Sequence, residues 1–307
     1  MNKDSSLDNI ISACRSNILD ILDAGKIGHA GGSLSVLETL VALYFEIAKI
    51  NPKDPKWEDR DRIVLSKSHA CEAMYAVLGE KGFFPKEKFK EFLQFNSMLQ
   101  GHVEICTPGA EYSGGSLGQG ISFACGLAYS AKLKKKKYKV FCILGDGECH
   151  EGEVWEAAMF ASHYKLDNLY AIVDQNHYCT LGNVDDIMNL EPLENKWKSF
   201  GWETIFEKDG NNVINMINNF KELEKIVNRE DIGVICMEVV RNEEPKDDFL
   251  IRVRELAKNK GIVESVDTGS VLRADIISLT HALRRIMGFP EEAEQCLISY
   301  LGRLEHH

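Results

Sequence analysis

An aspartate and an asparagine lie thirty positions apart, each within three residues of the end of an apolar run that predicts a buried strand. Asp146 comes after the run 138–144, and Asn176 comes after the run 169–173. A helix predicted over 151–165 joins the two strands, so they are parallel and end at the same edge of a sheet. One carboxylate and one amide oxygen, with positions left for phosphate oxygens, suit Mg²⁺. The spacing therefore predicts a Mg²⁺-bridged diphosphate.

The glycines on either side of Asp146 have two interpretations. Gly147 would let the backbone approach a phosphate, and the following helix would point its N-terminal amides at it. Gly-Asp-Gly is also ordinary turn chemistry. The strand–turn–helix–strand context and the downstream Asn176 favour the diphosphate. The segment 145–182, GDGECHEGEVWEAAMFASHYKLDNLYAIVDQNHYCTLG, resembles the thiamine diphosphate signature as it occurs in the transketolase family.

Three histidines upstream of this signature stand in polar, glycine-flanked loops: His29, His69 and His102. A single histidine of this kind is more often structural than catalytic. Three at similar element boundaries favour convergence on one pocket. Imidazoles suit a sugar site, because each can donate to and accept from hydroxyls, or donate to a phosphate, near neutral pH.

The three loops carry the second part of the resemblance. IGHAGGSLS (27–35) is similar to the family's GHPGG segment, with Ala30 in the usual proline position. LSKSHACEAMYAVL (65–78) is similar to LSKGHA, with Ser68 replacing glycine. GHVEICTPGAEYSGGSLGQG (101–120) is similar to the family's GH…TPG…GxLGQG.

The resemblance implies a role for each matching residue in these loops. His29 and His102 would contact the hydroxyls of a donor ketose, and His69 would contact the cofactor diphosphate. Gly115 and Leu117 would offer backbone groups to the aminopyrimidine ring. The ordinary interpretation of the loop 114–120 is a helix-entry turn, which is compatible with that role because turns expose backbone groups.

Within the signature, the resemblance implies that Asp146, Asn176 and the backbone carbonyl of Tyr178 hold Mg²⁺, or Ca²⁺ or Mn²⁺ in its place. Gly147 would donate its N–H to the diphosphate. Glu151 matches a position that couples to the activating carboxylate across a subunit interface. Alternatively, it is a first-turn carboxylate stabilised by the helix dipole. The nearby glutamates are interpreted as a solvated helix face: Glu148, Glu153 and Glu156.

Helical patterns alternate with short apolar strands, which predicts an α/β fold with a doubly wound parallel sheet and helices on both faces. The predicted strands are 62–65, 138–144, 169–173, 203–206 and 233–239. The predicted helices are 7–22, 35–47, 69–79, 86–95, 121–132, 151–165, 193–200 and 213–224. We expect a thiamine diphosphate-binding domain over 1–245, a helical C-terminal extension over 246–303, and a purification-tag remnant over 304–307.

Composition narrows the class of protein. Of 307 residues, 44% are hydrophobic and 27% charged, and the net charge of −11 argues against binding to nucleic acid or anionic membranes. The basic run 132–139 most simply ends a helix, with a nucleic-acid patch as the minor alternative. No signal peptide is expected, nor a membrane helix of roughly 18 uncharged residues. Nine cysteines without a CxxC pair indicate reduced thiols in a cytoplasmic protein.

The resemblance covers about residues 7–240, which correspond to the diphosphate-binding domain alone. In this family the activating glutamate lies in a separate pyrimidine domain. The resemblance therefore implies the N-terminal subunit of a split transketolase, inactive alone and completed by a C-terminal subunit in a heterotetramer. The family's further histidine, in a WHG-type segment, has no counterpart in 241–260. Either Arg241 or a partner residue would replace it, or the diphosphate would be held more loosely.

Three functions stay open. The leading one is transfer of a two-carbon ketol unit from a ketose to an aldose, with sugars or sugar phosphates as substrates. A thiamine-dependent decarboxylase or acyloin-forming subunit is the second, although three histidines favour polyhydroxylated substrates. A non-catalytic scaffold subunit is the third, which the paired Asp146 and Asn176 disfavour.

Overall fold

A computed structural model describes residues 3–227, 235–240 and 263–264 of the chain. The helices are α1 (Lys3–Gly25), α2 (Ala30–Ala42), α3 (Cys71–Lys81), α4 (Gln119–Leu133), α5 (Gly152–His163), α6 (Val184–Met188), α7 (Leu193–Ser199) and α8 (Val213–Val227). The strands are β1 (Ile27–Gly28), β2 (Arg62–Leu65), β3 (Val140–Gly145), β4 (Leu169–Gln175), β5 (Tyr178–Cys179), β6 (Gly182–Asn183), β7 (Glu203–Glu207), β8 (Ile235–Val240) and β9 (Val263–Glu264).

Five strands form one parallel sheet in the order β2-β3-β4-β8-β7. Successive side chains of β3 alternate between two cores: Phe141 and Ile143 join one, and Cys142 and Leu144 join the other. Helices α1, α2, α3 and α8 cover the first face, and α4, α5 and α7 cover the second. Burial on both faces explains why these strands are continuously apolar rather than alternating. The predicted doubly wound fold is confirmed.

The helical segment Ala30–Ile47 combines α2 with a π-helical turn over Leu43–Ile47. Its 18 residues have a mean hydropathy of 1.3, so by length and composition alone it could cross a membrane. However, 72% of it is buried inside the fold. Burial of this kind is expected of a central core helix, and the segment packs against α3 and α8.

The helix predicted over 86–95 is wrong beyond its first turns. A 3₁₀-helix covers only Lys86–Glu91, and Leu93 and Asn96 then adopt φ of +61°. Left-handed backbone stops a helix, because a side chain there crowds the following carbonyl. The buried Phe89 and Phe92 anchor this turn against the core.

The two-residue strands were not predicted, because so short a segment has no readable periodicity. β5 and β6 form a small antiparallel hairpin. β9 pairs with β1 in parallel, with Val263 opposite Ile27. Thus the described residues of the predicted helical extension form a strand, and the rest of 246–303 lies outside the described residues.

Candidate functional site

The candidate site is a cleft at the carboxyl edge of the sheet, between the ends of β3 and β4. Gly145 pairs with Asp174 in the strand register, so Asp146 and Asn176 leave the sheet side by side. Both line a cleft of about 280 Å³, together with parts of 145–151 and 176–181. This volume is close to the lower end of the range of small-molecule sites, roughly 300 Å³. The strand order thus brings together the two residues that the sequence pattern paired.

Asp146 is buried, with 3% of its surface exposed. Its Oδ1 accepts the Gly147 N–H at 2.8 Å, and its Oδ2 accepts the His177 N–H at 2.6 Å. Burial raises the pKa of Asp146 to about 7; the two amide donors oppose that rise, and the charge of Asp174 adds to it. Each oxygen keeps a lone pair for a cation, which would also offset the cost of the buried charge.

Packing alone favours a glycine at position 147. A Cβ at this position would lie 2.8 Å from the Cβ of Cys179, closer than side chains can approach. Its N–H already donates to Asp146. Donation to a diphosphate therefore stays a prediction, and it requires that amide to leave or share its present partner.

Asn176 and Tyr178 form a tight polar turn after β4. Asn176 Oδ1 accepts the Tyr178 N–H at 2.9 Å, while its Nδ2 lies 3.5 Å from Ser35 Oγ. Asp146, Asn176 and Tyr178 all line the cleft. A carboxylate, an amide oxygen and a backbone carbonyl from these residues would form an all-oxygen set of the kind that suits Mg²⁺. In the part of the chain that the structure describes, no group of three or more His, Cys, Asp or Glu offers another metal site.

The three predicted histidines converge. The ring centroid of His29 lies 5.5 Å from that of His69 and 6.1 Å from that of His102. Burial and the charge of Lys67 lower the pKa of His69 to about 3, and burial also lowers the pKa of His102. His69 is neutral at pH 7, so its ring has one donor and one acceptor nitrogen.

Glu151 is exposed at the start of α5, and its side chain makes no capping hydrogen bond there. It lines the cleft together with His69 and Leu117. Gly115 and Leu117 are also exposed, in the loop that enters α4. All three are accessible to a ligand or partner, and their individual roles stay predictions.

The interpretation of Glu148 as part of a solvated helix face is wrong. It belongs to the 3₁₀ turn Gly147–His150 and is fully buried. Its Oε1 accepts the Gly118 N–H at 2.8 Å and a hydrogen bond from Ser66, and its Oε2 accepts the Gly145 N–H at 3.0 Å. Glu148 thus ties β2, β3 and the loop before α4 together beneath the cleft. Glu148 lies before α5 begins, and this position could have shown that it does not belong to the helix face.

A buried ion pair at the base of the cleft was also missed. Lys67 is 1% exposed, and its Nζ lies 2.6 Å from Asp174 Oδ2. Ser35 donates to Asp174 and accepts from Lys67 at 3.2 Å. Lys67 follows β2 and Asp174 lies near the end of β4, so the rule that strand ends share an edge could have found the pair.

The chain is similar to known proteins over most of its described length. Residues 6–245 match the family model for the transketolase thiamine diphosphate binding domain. The chain is 41% identical over 210 residues to one apulose-4-phosphate transketolase subunit of Phocaeicola vulgatus, covering 68% of this chain and 74% of that protein. It is 42% identical over 210 residues to a 6-deoxy-6-sulfo-D-fructose transketolase subunit of Clostridium sp., and the match covers 67% of this chain and 76% of that protein.

Solved transketolases share the fold. The Pichia stipitis enzyme in complex with sedoheptulose 7-phosphate superposes with a TM-score of 0.73 at 26% identity, covering 97% of this chain and 46% of that one. For the Campylobacter jejuni transketolase the TM-score is 0.74 at 26% identity, and the match covers 92% of this chain and 47% of that one. The chain therefore spans less than half the length of these solved transketolases.

Proposed function

Because this chain belongs to the transketolase family, we propose that it is the diphosphate-binding subunit of a two-chain transketolase. The reaction is transfer of a two-carbon ketol unit from a ketose to an aldose. Thiamine diphosphate, when bound, supplies the electron sink for that unit, while the protein orients the substrate and manages protons. The observation that carries the proposal is the convergence of His29, His69 and His102 beside the Asp146 edge.

The oxygen ligands at the sheet edge fit a magnesium diphosphate. We assign Asp146, Asn176 and the carbonyl of Tyr178 to Mg²⁺, and His69 and the Gly147 amide to the diphosphate. The supporting observation is the raised pKa of the buried Asp146, since a cation would stabilise its ionised form. Lys67 lines the same cleft, where its ammonium is paired with the carboxylate of Asp174.

His29 and His102 are assigned to the donor ketose. Their centroids are 6.1 Å apart, a separation that adjacent hydroxyls of one sugar can bridge by hydrogen bonds to both rings. Burial disfavours the charged ring of His102. A neutral ring can accept a hydroxyl proton and return it, which a permanently charged group cannot do.

A partner chain completes the proposed site. The chain covers under half of each solved transketolase above, and its relatives are named as subunits. We propose that the partner carries the pyrimidine domain with the activating glutamate, that Glu151 couples to that carboxylate, and that two copies of each chain form a heterotetramer. A cytoplasmic location is proposed as well; it is supported by Cys14, Cys71, Cys125 and Cys142, whose buried thiols form no disulfide.

The test is a ketol-transfer assay on this chain mixed with its partner, thiamine diphosphate and Mg²⁺. We expect a ketose donor and an aldose acceptor to be converted, and neither chain alone to be active. Turnover of pyruvate without turnover of any ketose would instead identify a decarboxylase. If calorimetry on the assembled chains detects no thiamine diphosphate binding, both enzymatic functions fail and a scaffold role is left.

A further inference from the structure

Helix α3 touches all three histidine loops. His69 precedes its first residue, Cys71, and residues 71–79 are all buried. Most of this helix is apolar, but Glu72 and Tyr75 point polar atoms at the loops that carry His29 and His102. The ketol-transfer proposal gives neither of these residues a role.

Glu72 holds the His29 loop through its backbone. The side chain is 0% exposed; its Oε1 accepts the His29 N–H at 2.8 Å, and its Oε2 accepts the Ser33 hydroxyl at 2.7 Å. A Cβ at Gly28 would lie 2.3 Å from Glu72 Oε1, so a side chain there would have to displace the Glu72 carboxylate. A buried carboxylate is costly unless it is hydrogen-bonded, and here the loop supplies the donors.

Tyr75 holds the His102 loop in the same way. Its hydroxyl lies 2.9 Å from the Gln100 carbonyl and 3.1 Å from the His102 carbonyl, and its one proton is shared between them. The Sγ of Cys71 approaches the Gly101 carbonyl at 3.3 Å. The Tyr75 ring is fully buried and packs edge-on against Phe92. The tyrosine therefore fixes the loop backbone, not the imidazole.

We propose that Glu72 and Tyr75 are positioning residues that set the relative placement of His29 and His102 for the donor ketose, an inference that rests on the proposed ketol transfer. Both are fully buried and both bind loop backbone, so they act through the histidines. Because one rigid helix carries both contacts, the two rings are held in a common frame. Catalytic groups displaced by about 1 Å can lose up to roughly a hundredfold in rate, so loosening this frame affects donor turnover.

Steady-state kinetics on the assembled enzyme separates positioning from general damage. We expect Tyr75→Phe and Glu72→Ala each to lower kcat/KM for the donor by about tenfold or more while thiamine diphosphate affinity is unchanged. Glu72→Gln keeps an acceptor for the His29 amide and should recover most of the loss. Tyr44→Phe is the matched control, because Tyr44 is also buried and its hydroxyl lies 3.3 Å from a loop carbonyl, that of Gly109. Glu80→Ala is the second control, because it removes another carboxylate of α3, one that accepts a hydrogen bond from Asn17.

An NMR measurement on the full chain is independent of turnover. An amide that donates to a buried carboxylate resonates downfield and exchanges slowly. We expect Glu72→Gln to shift the His29 amide upfield, Tyr75→Phe to shift the signals of His102, and both controls to leave them in place. An unchanged His29 amide in Glu72→Gln, or a donor kcat/KM reduced no more than in the controls, would overturn the proposal. If the wild-type pair transfers no ketol unit, the proposed function fails, and the amide shifts still decide whether the frame exists.

Discussion

The carboxylate of Asp146 combines two properties at the scale of single residues. It is 3% exposed, and burial raises its pKa to about 7. Its two backbone donors only partly offset that cost. A divalent cation at this edge would therefore favour the charged form and displace a proton near neutral pH.

Replacing Asp146 with Ala is expected to weaken Mg²⁺-dependent binding of thiamine diphosphate by more than about 100-fold, because the metal loses its one carboxylate. The fold should be retained, since a buried charge is removed rather than created. Calorimetry with the partner present measures the affinity, and circular dichroism checks the fold. Asp167→Asn, which changes an exposed carboxylate at the opposite edge of the sheet, is the control. Retained activity in Asp146→Ala would refute the metal assignment.

Metal binding at Asp146 should depend on pH in a defined direction. In the metal-free chain, the pKa of Asp146 is higher in the folded state than in the unfolded state. Asp146 therefore contributes fully to the free energy of unfolding below its unfolded pKa, near 4, and this contribution is lost as the pH rises through about 7. Metal affinity changes in the opposite sense and increases through the same window. Calorimetry in buffers of different ionisation enthalpy should detect proton release on Mg²⁺–diphosphate binding at about pH 6. Equal release in wild type and Asp146→Asn would contradict this origin.

His69 should stay neutral well into the acidic range. Its folded pKa is lowered to about 3, first by burial and then by the charge of Lys67. The unfolded chain gains this proton near pH 6.5, so the contribution of His69 to stability declines as the pH falls from about 6.5 towards 3. NMR titration of the ring should show no midpoint above about pH 5. A midpoint near the ordinary histidine value would mean that the ring is exposed to solvent.

At the scale of elements, the ends of three adjacent strands are tied by buried charges. Lys67, after β2, pairs with Asp174 in β4. Glu148, after β3, accepts hydrogen bonds from the backbone amides of Gly118 and Gly145. The carboxyl ends of strands carry unpaired backbone groups, so side chains there must complete the hydrogen bonding. These ties fix the edge from which Asp146 and Asn176 project.

Lys67→Met is expected to lower the free energy of unfolding by about 3–5 kcal/mol, because it leaves Asp174 buried without its cation. Adding Asp174→Asn should restore part of that loss. Lys132→Met provides the matched control: Lys132 forms an ion pair of nearly the same length with Asp167, but both are exposed. Its loss should cost at most about 1 kcal/mol. Urea unfolding gives the free energy of unfolding of the wild type, the two single variants and the double variant. Equal losses in Lys67→Met and Lys132→Met would show that burial of the ion pair does not matter here.

At the scale of the whole molecule, the proposed function makes this chain one side of a site. Glu151, Gly115 and Leu117 are exposed around the cleft, where a second chain could approach. Large apolar side chains are exposed beside them, among them Leu181. An open cleft binds a cofactor more weakly than an enclosed one, because less of the ligand is buried.

Thiamine diphosphate should therefore bind this chain far more weakly alone than with its partner. Native mass spectrometry of the mixed chains should show a complex with two copies of each, and cofactor should be retained only in that complex. Glu151→Gln should reduce activity in the complex while the assembly persists. A complex of one copy of each chain with full activity would contradict the heterotetramer.

Several features follow from the sequence alone. The alternation of apolar strands and helices fixed the fold class, and strand 62–65 was predicted with its observed bounds. The placement of Asp146 beside Asn176 followed from parallel strands ending at one edge. Local patterns suffice for these features because burial on both faces and strand direction are written in short stretches of chain.

Other features were decided only by tertiary structure. Four contacts near the cleft join residues 25 to 107 positions apart in the chain. They are Glu148 with Gly118, Lys67 with Asp174, Glu72 with His29, and Tyr75 with Gln100. A sequence pattern shows that a residue is charged, but only packing decides whether water or another part of the chain will satisfy that charge. For this protein, the sequence determined which groups could do chemistry, and the tertiary structure decided what holds them in place.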